Sequence, residues 1–392
     1  MELHGKGVGV RGALHGPGVH FQERVQDAPG VALSGVPLFV GFAQVLRRAT
    51  GRLRTLTRRQ QFRQELGGMP ADGYLEQAVE GFFVNGGQRC VVYPLEPDEV
   101  GATVLLEAFR EGGPLEEGAD VEQADLVCVP DLMLPPLRES SSMVFHLQSR
   151  VLDYCQRLGG RFALLDALPA EPAQALTQWQ ELLPTDGALY FPWIGLSGPV
   201  PRAVPPCGHV AGVYARTDRL VGVHKAPANA VLAGVVDLQW RLAEDELARL
   251  NAAGVNCLHS LPGRGIRVWG ARTLSGQPAW RYVNVRRLFL DLARRAEYGM
   301  RDLVFEPNGP ALWKRIRDRL RAHCLGLYRR GALKGRSPTE AYFVKCDEET
   351  TTNTDRNAGR VIVEVGLAAE LPAEFVVVRL VRNAAGDTRL MG

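Results

Sequence analysis

Three short apolar runs, spaced by helix-like stretches, constrain the fold of this chain most. They are Ala124–Pro130 (ADLVCVP), Arg161–Leu168 (RFALLDAL) and Ala188–Ile194 (ALYFPWI). Each reads as a strand buried on both faces. Asp98–Arg110, Ser142–Leu158 and Pro172–Leu183 look helical. Apolar strands alternating with amphipathic helices imply a largely parallel sheet covered on both sides. Upstream, Gly35–Ala43 (GVPLFVGFA) and Arg89–Leu95 (RCVVYPL) read as two more strands. Between them Asp72 is placed to cap a helix with apolar positions Leu75, Val79, Phe82 and Phe83. Asn85-Gly86-Gly87 should stop it, since Asn and Gly tolerate the left-handed cap.

The last third has a different pattern. Two long helical stretches, Asn284–Tyr298 and Pro310–Arg330, precede three β-rich runs, Ala341–Asp347, Gly359–Leu367 and Ala373–Arg382. A polar tail, NAAGDTRLMG, follows. Helices followed by strands indicate an α+β unit, so the expected fold class is α/β and α+β. A length of 392 residues suits two or three domains. The first 20 residues are Gly-rich and read as an extended arm. Gly7, Gly9 and Gly12 match GxGxxG formally, but no strand precedes them and no helix follows, so no dinucleotide loop is expected.

Ligands in parallel α/β sheets often bind beyond the carboxyl ends of the strands. Here those ends carry Asp131, Asp166 and Trp193. Asp131 and Asp166 are candidates for a carboxylate pair, but the favoured reading is that each caps a helix. The seven cysteines form no CxxC pair and sit among apolar neighbours, as buried thiols of a reducing compartment do. Cys207 and His209 (PPCGHV) are candidates for a metal site or a nucleophile, yet nothing supplies further ligands at finger-like spacing. Ser197 in GLSGP lacks the final Gly of GxSxG. No apolar run reaches the ~20 residues of a membrane span. Met1–Val10 has no apolar signal core, so export by a signal peptide is not expected.

Charge is balanced overall and segregated locally. The net charge is +3, which argues against a general nucleic-acid binder. Yet Arg47–Glu65 holds seven Arg and one Glu, and Trp313–Gly331 holds six Arg and one Lys against Asp318. Glu96–Asp125 holds ten acidic residues against Arg110. Blocks of one sign can steer partners of the other. The acidic block is expected to meet the basic Arg47–Arg63 of a neighbouring copy.

A series of strings then points to a family. In order they are GHVAGVYARTD (208–218), KAPAN (225–229), LNAAGVNCL (250–258), VWGARTL (268–274), WRYVNVRRL (280–288), VFEPN (304–308), GALKG (331–335), EAYFVKCD (340–347) and PAEFVVVRL (372–380). Upstream, YLEQAVEGFFVNGGQRCVVYPL (74–95) and PGVHFQE (17–23) join them. Collinearly, they resemble the contractile tail sheath proteins of phages, phage-tail-like bacteriocins and extracellular contractile injection systems. The chain departs from the pattern at His224, where the family often has Trp, and in the Arg-rich 44–63.

The resemblance implies a structural subunit, not an enzyme, with no cofactor. Subunits would stack as hexameric rings around an inner tube and contract to drive it through a target envelope. Partners would be other copies, the inner tube, and baseplate and cap or terminator proteins, without nucleic acid or membrane insertion. The protein would be made in the bacterial cytoplasm and assembled into a phage tail or tail-like particle. The implied organisation is an arm at 1–20 and a sheath core built from 21–100 and 271–372. A non-catalytic subtilisin-like α/β domain would occupy 101–270, and a strand or arm 373–392. Strand exchange between subunits is expected at Val8, Val10, Val19, Phe375, Val376, Val377 and Val378. The helix Pro310–Arg330 would bury Leu312, Ile316, Leu320, Leu325 and Leu327 and offer Lys314, Arg315, Arg319, Arg329 and Arg330 to an acidic tube. In 283–299, Val285, Leu288, Phe289 and Leu292 would be buried and Arg286, Arg294 and Arg295 exposed. The competing readings are an α/β hydrolase using Cys207 or the Asp131/Asp166 pair, and a nucleic-acid binder using Arg47–Arg63.

Overall fold

The computed structural model describes residues 33–391, apart from 47–51, 68, 117–118, 183–185, 198–201, 304, 372–373 and 384–386. The expected N-terminal arm, with Val8, Val10 and Val19, lies outside the described residues.

One large sheet organises the first two-thirds. Its strands are β1 (Pro37–Phe42), β2 (Arg54–Leu56), β3 (Cys90–Leu95), β4 (Leu126–Cys128), β5 (Phe162–Asp166), β6 (Gly187–Phe191), β7 (Val255–Leu261) and β8 (Gly265–Trp269), in the order β8-β7-β6-β5-β4-β1-β3-β2. The six inner strands run parallel, and β2 and β8 close the edges antiparallel. Every residue of β1, β3, β4, β5 and β6 is buried, as their apolar composition requires. Among the connecting helices are α1 (Leu75–Val84), α2 (Ser141–Leu158), α3 (Pro172–Glu181), α4 (Cys207–Leu220) and α5 (Glu244–Ala253). The Ser140 side chain caps α2 by accepting from Met143 N. Helix α1 ends at Asn85, and Gly86 turns the chain with φ of 100°.

Four local expectations change. The Asp98–Arg110 helix is shorter, spanning Ala102–Ala108, with Pro97–Glu99 in a separate 3₁₀ turn. Pro97 opens that turn and Gly101 lies between it and the helix, and neither continues a helix well. Asp72 does not cap α1; Asp131 does, from a distant part of the chain. The third apolar run breaks after Phe191, and Ile194–Leu196 pairs instead with Arg202–Val204 and Val235–Leu238 in a small antiparallel sheet. The polar tail ends in a strand rather than trailing away.

The second unit contains α6 (Val283–Gly299), α7 (Pro310–Arg329) and an antiparallel sheet. Its strands β9 (Tyr342–Lys345), β10 (Val361–Leu367), β11 (Val376–Arg382) and β12 (Thr388–Met391) lie in sequence order. Asn383 and Asp387, which flank the facing ends of β11 and β12, bond each other. This unit has its own core, in which Phe289, Leu292, Ile316, Cys324, Val365 and Val378 are buried. The core of the first unit runs from Val36 to Leu290. Residues 37–95, expected to share a unit with 271–372, therefore lie in the larger sheet instead. β1 pairs with β4, and β3 and β2 extend the same sheet beyond β1; no C-terminal strand joins it among the described residues.

Candidate assembly surfaces

The carboxyl end of the large sheet is closed by its own side chains. Strand order reverses around β1, which is where ligands enter comparable sheets. The Asp131 carboxylate fills that point, accepting from Phe42 N (2.8 Å), Tyr74 N (2.5 Å) and Leu75 N (3.1 Å). Burial pushes its carboxyl up to about 6, against the lowering by those three amides. A Cβ on Gly41 would overlap this carboxylate. Asp166 accepts from Cys207 N (2.8 Å) and so caps α4; burial pushes it up to about 7. Each carboxylate thus caps a helix remote in sequence. Gln148 and Gln178 bond the Asp166 carbonyl and each other, and Trp193 Nε1 donates to Ala167 O (2.7 Å). Cys207 and His209 are buried. His209 packs against Gly81 of α1, where burial lowers its pKa to about 4.

The amino-terminal end of the sheet receives the second unit through the arginines of α6. Arg287, 3% exposed, makes paired hydrogen bonds to Asp218 of α4 (2.9 and 2.6 Å) and a third to Asp125 (2.9 Å), just before β4. Asp125 also accepts from Gly35 N (3.0 Å) and Val36 N (2.7 Å), just before β1. The Arg287 guanidinium lies 4.9 Å from the Tyr214 ring centre, and Tyr214 bonds Tyr190 through their hydroxyls (2.6 Å). Arg286 pairs with Asp186, immediately before β6, and covers the Trp280 ring. Arg294 donates to the carbonyls of Leu33, Glu122 and Gln123. A Cβ on Gly160, just before β5, would overlap its side chain.

The expectation that Arg286 and Arg294 are exposed is therefore wrong. Arg294 is 6% exposed and Arg286 is half-buried in an ion pair. Both serve the contact between units. Arg295 is half-buried and pairs with Asp291 (2.7 Å). The reading of the sequence missed Arg287 and its acidic partners. A signal was present: Arg287 and Arg294 are seven apart and fall on one helical face, beside the buried Leu290.

Helix α7 buries Leu312, Trp313, Ile316, Leu320, Cys324 and Leu327, while Leu325 is only half-buried. Three of its five singled-out cations already have partners in the chain. Lys314 pairs with Asp318 (2.8 Å), Arg315 with Glu306, and Arg319 with Asp302 (2.7 Å). Arg329 and Arg330 are exposed, with no side-chain hydrogen bond or ion pair among the described residues. Arg321 shares that state and was not singled out.

In the C-terminal sheet, Val376, Val377 and Val378 pair with Leu367, Gly366 and Val365 of β10. The described pairing of β12 covers only Arg379–Arg382. Val377 is 46% exposed, and Phe375 sets its ring edge-on to Phe343 at 5.3 Å. The acidic block divides. Glu116, Glu122 and Asp125 pair with Arg157, Arg301 and Arg287 of this chain. Glu96, Asp98 and Glu99 stay exposed without a side-chain partner among the described residues.

Known proteins carry the same architecture. Residues 122–274 match the family model of the phage tail sheath protein central domain, and 275–381 that of the phage tail sheath C-terminal domain. That division falls just before residues 280–290, which contribute to both hydrophobic cores. A chain in the cryo-EM structure of the anti-feeding prophage (AFP) baseplate is 30% identical, with a TM-score of 0.71 over 93% of this chain and 98% of that one. A chain of the contracted AFP helical sheath is 31% identical, with a TM-score of 0.69 over 92% and 97%. A chain of the contracted sheath complex of PVC, an extracellular contractile injection system, is 27% identical, with a TM-score of 0.69 over 93% and 97%. The tail sheath protein of Salmonella phage ViI is 27% identical over 183 residues, 45% of this chain, and the match spans 27% of that protein's length. The chain belongs to the contractile tail sheath family, which is structural and not enzymatic.

Proposed function

We propose that this chain is the repeating subunit of a contractile sheath. Copies stack as hexameric rings around an inner tube and contract to push it through a target envelope. The observation that carries the reading is the near-complete two-way overlap with a chain of the contracted AFP sheath, both units included. The α/β unit acts as a non-catalytic, subtilisin-like spacer, with its carboxyl end occupied by Asp131 and Asp166. The particle is a phage tail or a tail-like injection complex assembled after synthesis in a bacterial cytoplasm, and its ends bind baseplate and cap proteins.

Rings are joined by strand exchange that uses Val8, Val10 and Val19 of one arm and Phe375, Val376, Val377 and Val378 of the C-terminal sheet. The short β12 supports this, because it leaves Val376 and Val377 paired on the β10 side alone among the described residues. Main-chain pairing survives large rigid-body motion, which a contracting polymer needs. Helix α7 faces an acidic tube with Lys314, Arg315, Arg319, Arg329 and Arg330. Arg329 and Arg330 matter most, since the other three are neutralised within the chain. Exposed pairs contribute only ~0–1 kcal/mol each, so register comes from repetition along the polymer. Electron microscopy of the protein co-expressed with its tube tests these points. Sheaths should be lost on deleting residues 1–19 or 374–392, and Arg329→Glu with Arg330→Glu should give sheaths without tubes. Normal tube-filled sheaths from all three variants would defeat the reading.

A further inference from the structure

Two exposed surfaces of the α/β unit remain without a role, and they are complementary. The first is apolar. Val84, Leu220, Val221 and Val231 are 43%, 66%, 52% and 39% exposed. They gather where α1 and α4 end side by side. Arg216 packs on Gly86 at the end of α1 and donates to Val231 O (2.9 Å). Leu220 lies one turn beyond Arg216 on α4, and Val221 follows it. The patch carries positive charge, because Arg216 and Arg219 form no ion pair among the described residues.

The second surface is acidic. Glu96, Asp98 and Glu99 follow β3 directly, all exposed, and none pairs with a cation among the described residues. The two surfaces sit toward opposite ends of the sheet. The patch lies toward the amino-terminal end, where Gly35 before β1 packs on Ala215 of α4. The acidic corner lies just beyond the carboxyl end of β3, which runs parallel to β1. Different patches at opposite ends give a head-to-tail contact, which closes into a ring or continues as a helix.

We propose that a second copy of this chain docks its Glu96–Asp98–Glu99 corner on the Leu220–Arg219 patch. This rests on the sheath reading and names one surface by which copies meet. It offers the acidic corner a different partner from Arg47–Arg63, of which Arg54 and Arg63 already contact Glu65 and Glu76. Apolar contact supplies the attraction, and the Arg–carboxylate pairs set which ends meet.

The test uses the full chain with Asp98→Cys and Leu220→Cys together. Both sites are exposed, and all seven native cysteines are buried, so background coupling is low. Mild oxidation with a soluble disulfide of assembled protein should give a covalent ladder of multimers, and neither single variant should do so. In parallel, Arg219→Glu and Glu99→Lys should each raise the concentration needed for assembly about tenfold or more, and the double variant should restore it. Wild-type sheaths with no ladder and no effect of the charge reversals would overturn the contact while leaving the sheath reading intact. A ladder of equal extent from either single variant would mean that these two residues do not face each other and would overturn the proposal. Wild-type protein that forms no polymer would overturn both readings.

Discussion

Arg287→Met should separate the two units energetically without removing bulk from the contact. The wild-type guanidinium is buried and satisfies two carboxylates, Asp218 and Asp125, through three hydrogen bonds. Met keeps the stem but leaves Asp218 without its counter-charge and Asp125 with only the more distant Arg294 (3.9 Å). Removing one partner of a buried ion pair typically costs about 3–5 kcal/mol, mostly the penalty of the stranded charge. Asp125 keeps two backbone donors, Gly35 and Val36, so most of the cost falls on Asp218. Burial already raises the Asp218 carboxyl to about 6 while Arg287 pulls it down. Without Arg287 it rises further, and proton uptake then relieves the penalty. The destabilisation should therefore be full at pH 8 and shrink as pH falls toward 5. Urea unfolding of unassembled protein at both pH values, followed by Trp fluorescence, measures this. Adding Asp218→Asn should recover part of the loss at pH 8. A neutral Arg287→Met at pH 8, or a loss that grows toward pH 5, would refute the argument.

Two further outcomes follow from buried groups. Asp166 has its folded pKa raised to about 7 from the ordinary 3.8, so the folded state holds the proton more tightly. Its contribution is present below about pH 4 and lost as pH rises through 7; Asp166→Asn should flatten urea stability across that window, and an unchanged slope would count against the assignment. Gly208→Ala would drive a methyl into the Ala78 backbone where α1 and α4 cross, and should cost about 1–3 kcal/mol of stability in the same assay; a neutral result would mean that the helices separate freely.

Strands β1, β3, β4, β5 and β6 were legible because their residues are apolar on every face, which nothing but a covered strand or a buried helix tolerates; β2, β7 and β8, which carry polar and exposed positions, were not. Elements set by remote partners were not. Tyr74 at the start of α1 offers no side-chain cap, and the nearby Asp72 looked suitable. The carboxylate that does the work, Asp131, stands 57 residues from Tyr74 in sequence. The membership of residues 37–95 was hidden for a similar reason. A strand's own sequence reports that it is buried, not which sheet it joins. β12 was missed because TRLM is short and half polar; its pairing is supported by the hydrogen bonds between Asn383 and Asp387.

Charge was misread in an instructive way. A basic block invites the inference of an external acidic partner, and an arginine on a helix is usually solvated. Yet many of the block residues are spent inside the chain: Asp125 on Arg287, which also pairs with Asp218, Glu122 on Arg301, Glu116 on Arg157, and Arg319 on Asp302. Three of these pairs join the two units: Arg287 with Asp125 and with Asp218, both buried, and the more exposed Arg301–Glu122. Among the described residues, exposed charges without a partner include Arg52, Arg58 and Arg59 near β2, Arg321, Arg329 and Arg330 at α7, Arg219 beside the apolar patch, and Glu96, Asp98 and Glu99 beyond β3. A subunit that must move as one body while its contacts rearrange needs this partition. Strong, desolvated pairs hold the units together and are insensitive to salt, whereas exposed charges are screened within about 8–10 Å and release easily. Raising ionic strength should thus weaken contacts between copies well before it loosens the joint between the units, and the opposite order would mean that the joint, not the surface, gives way first.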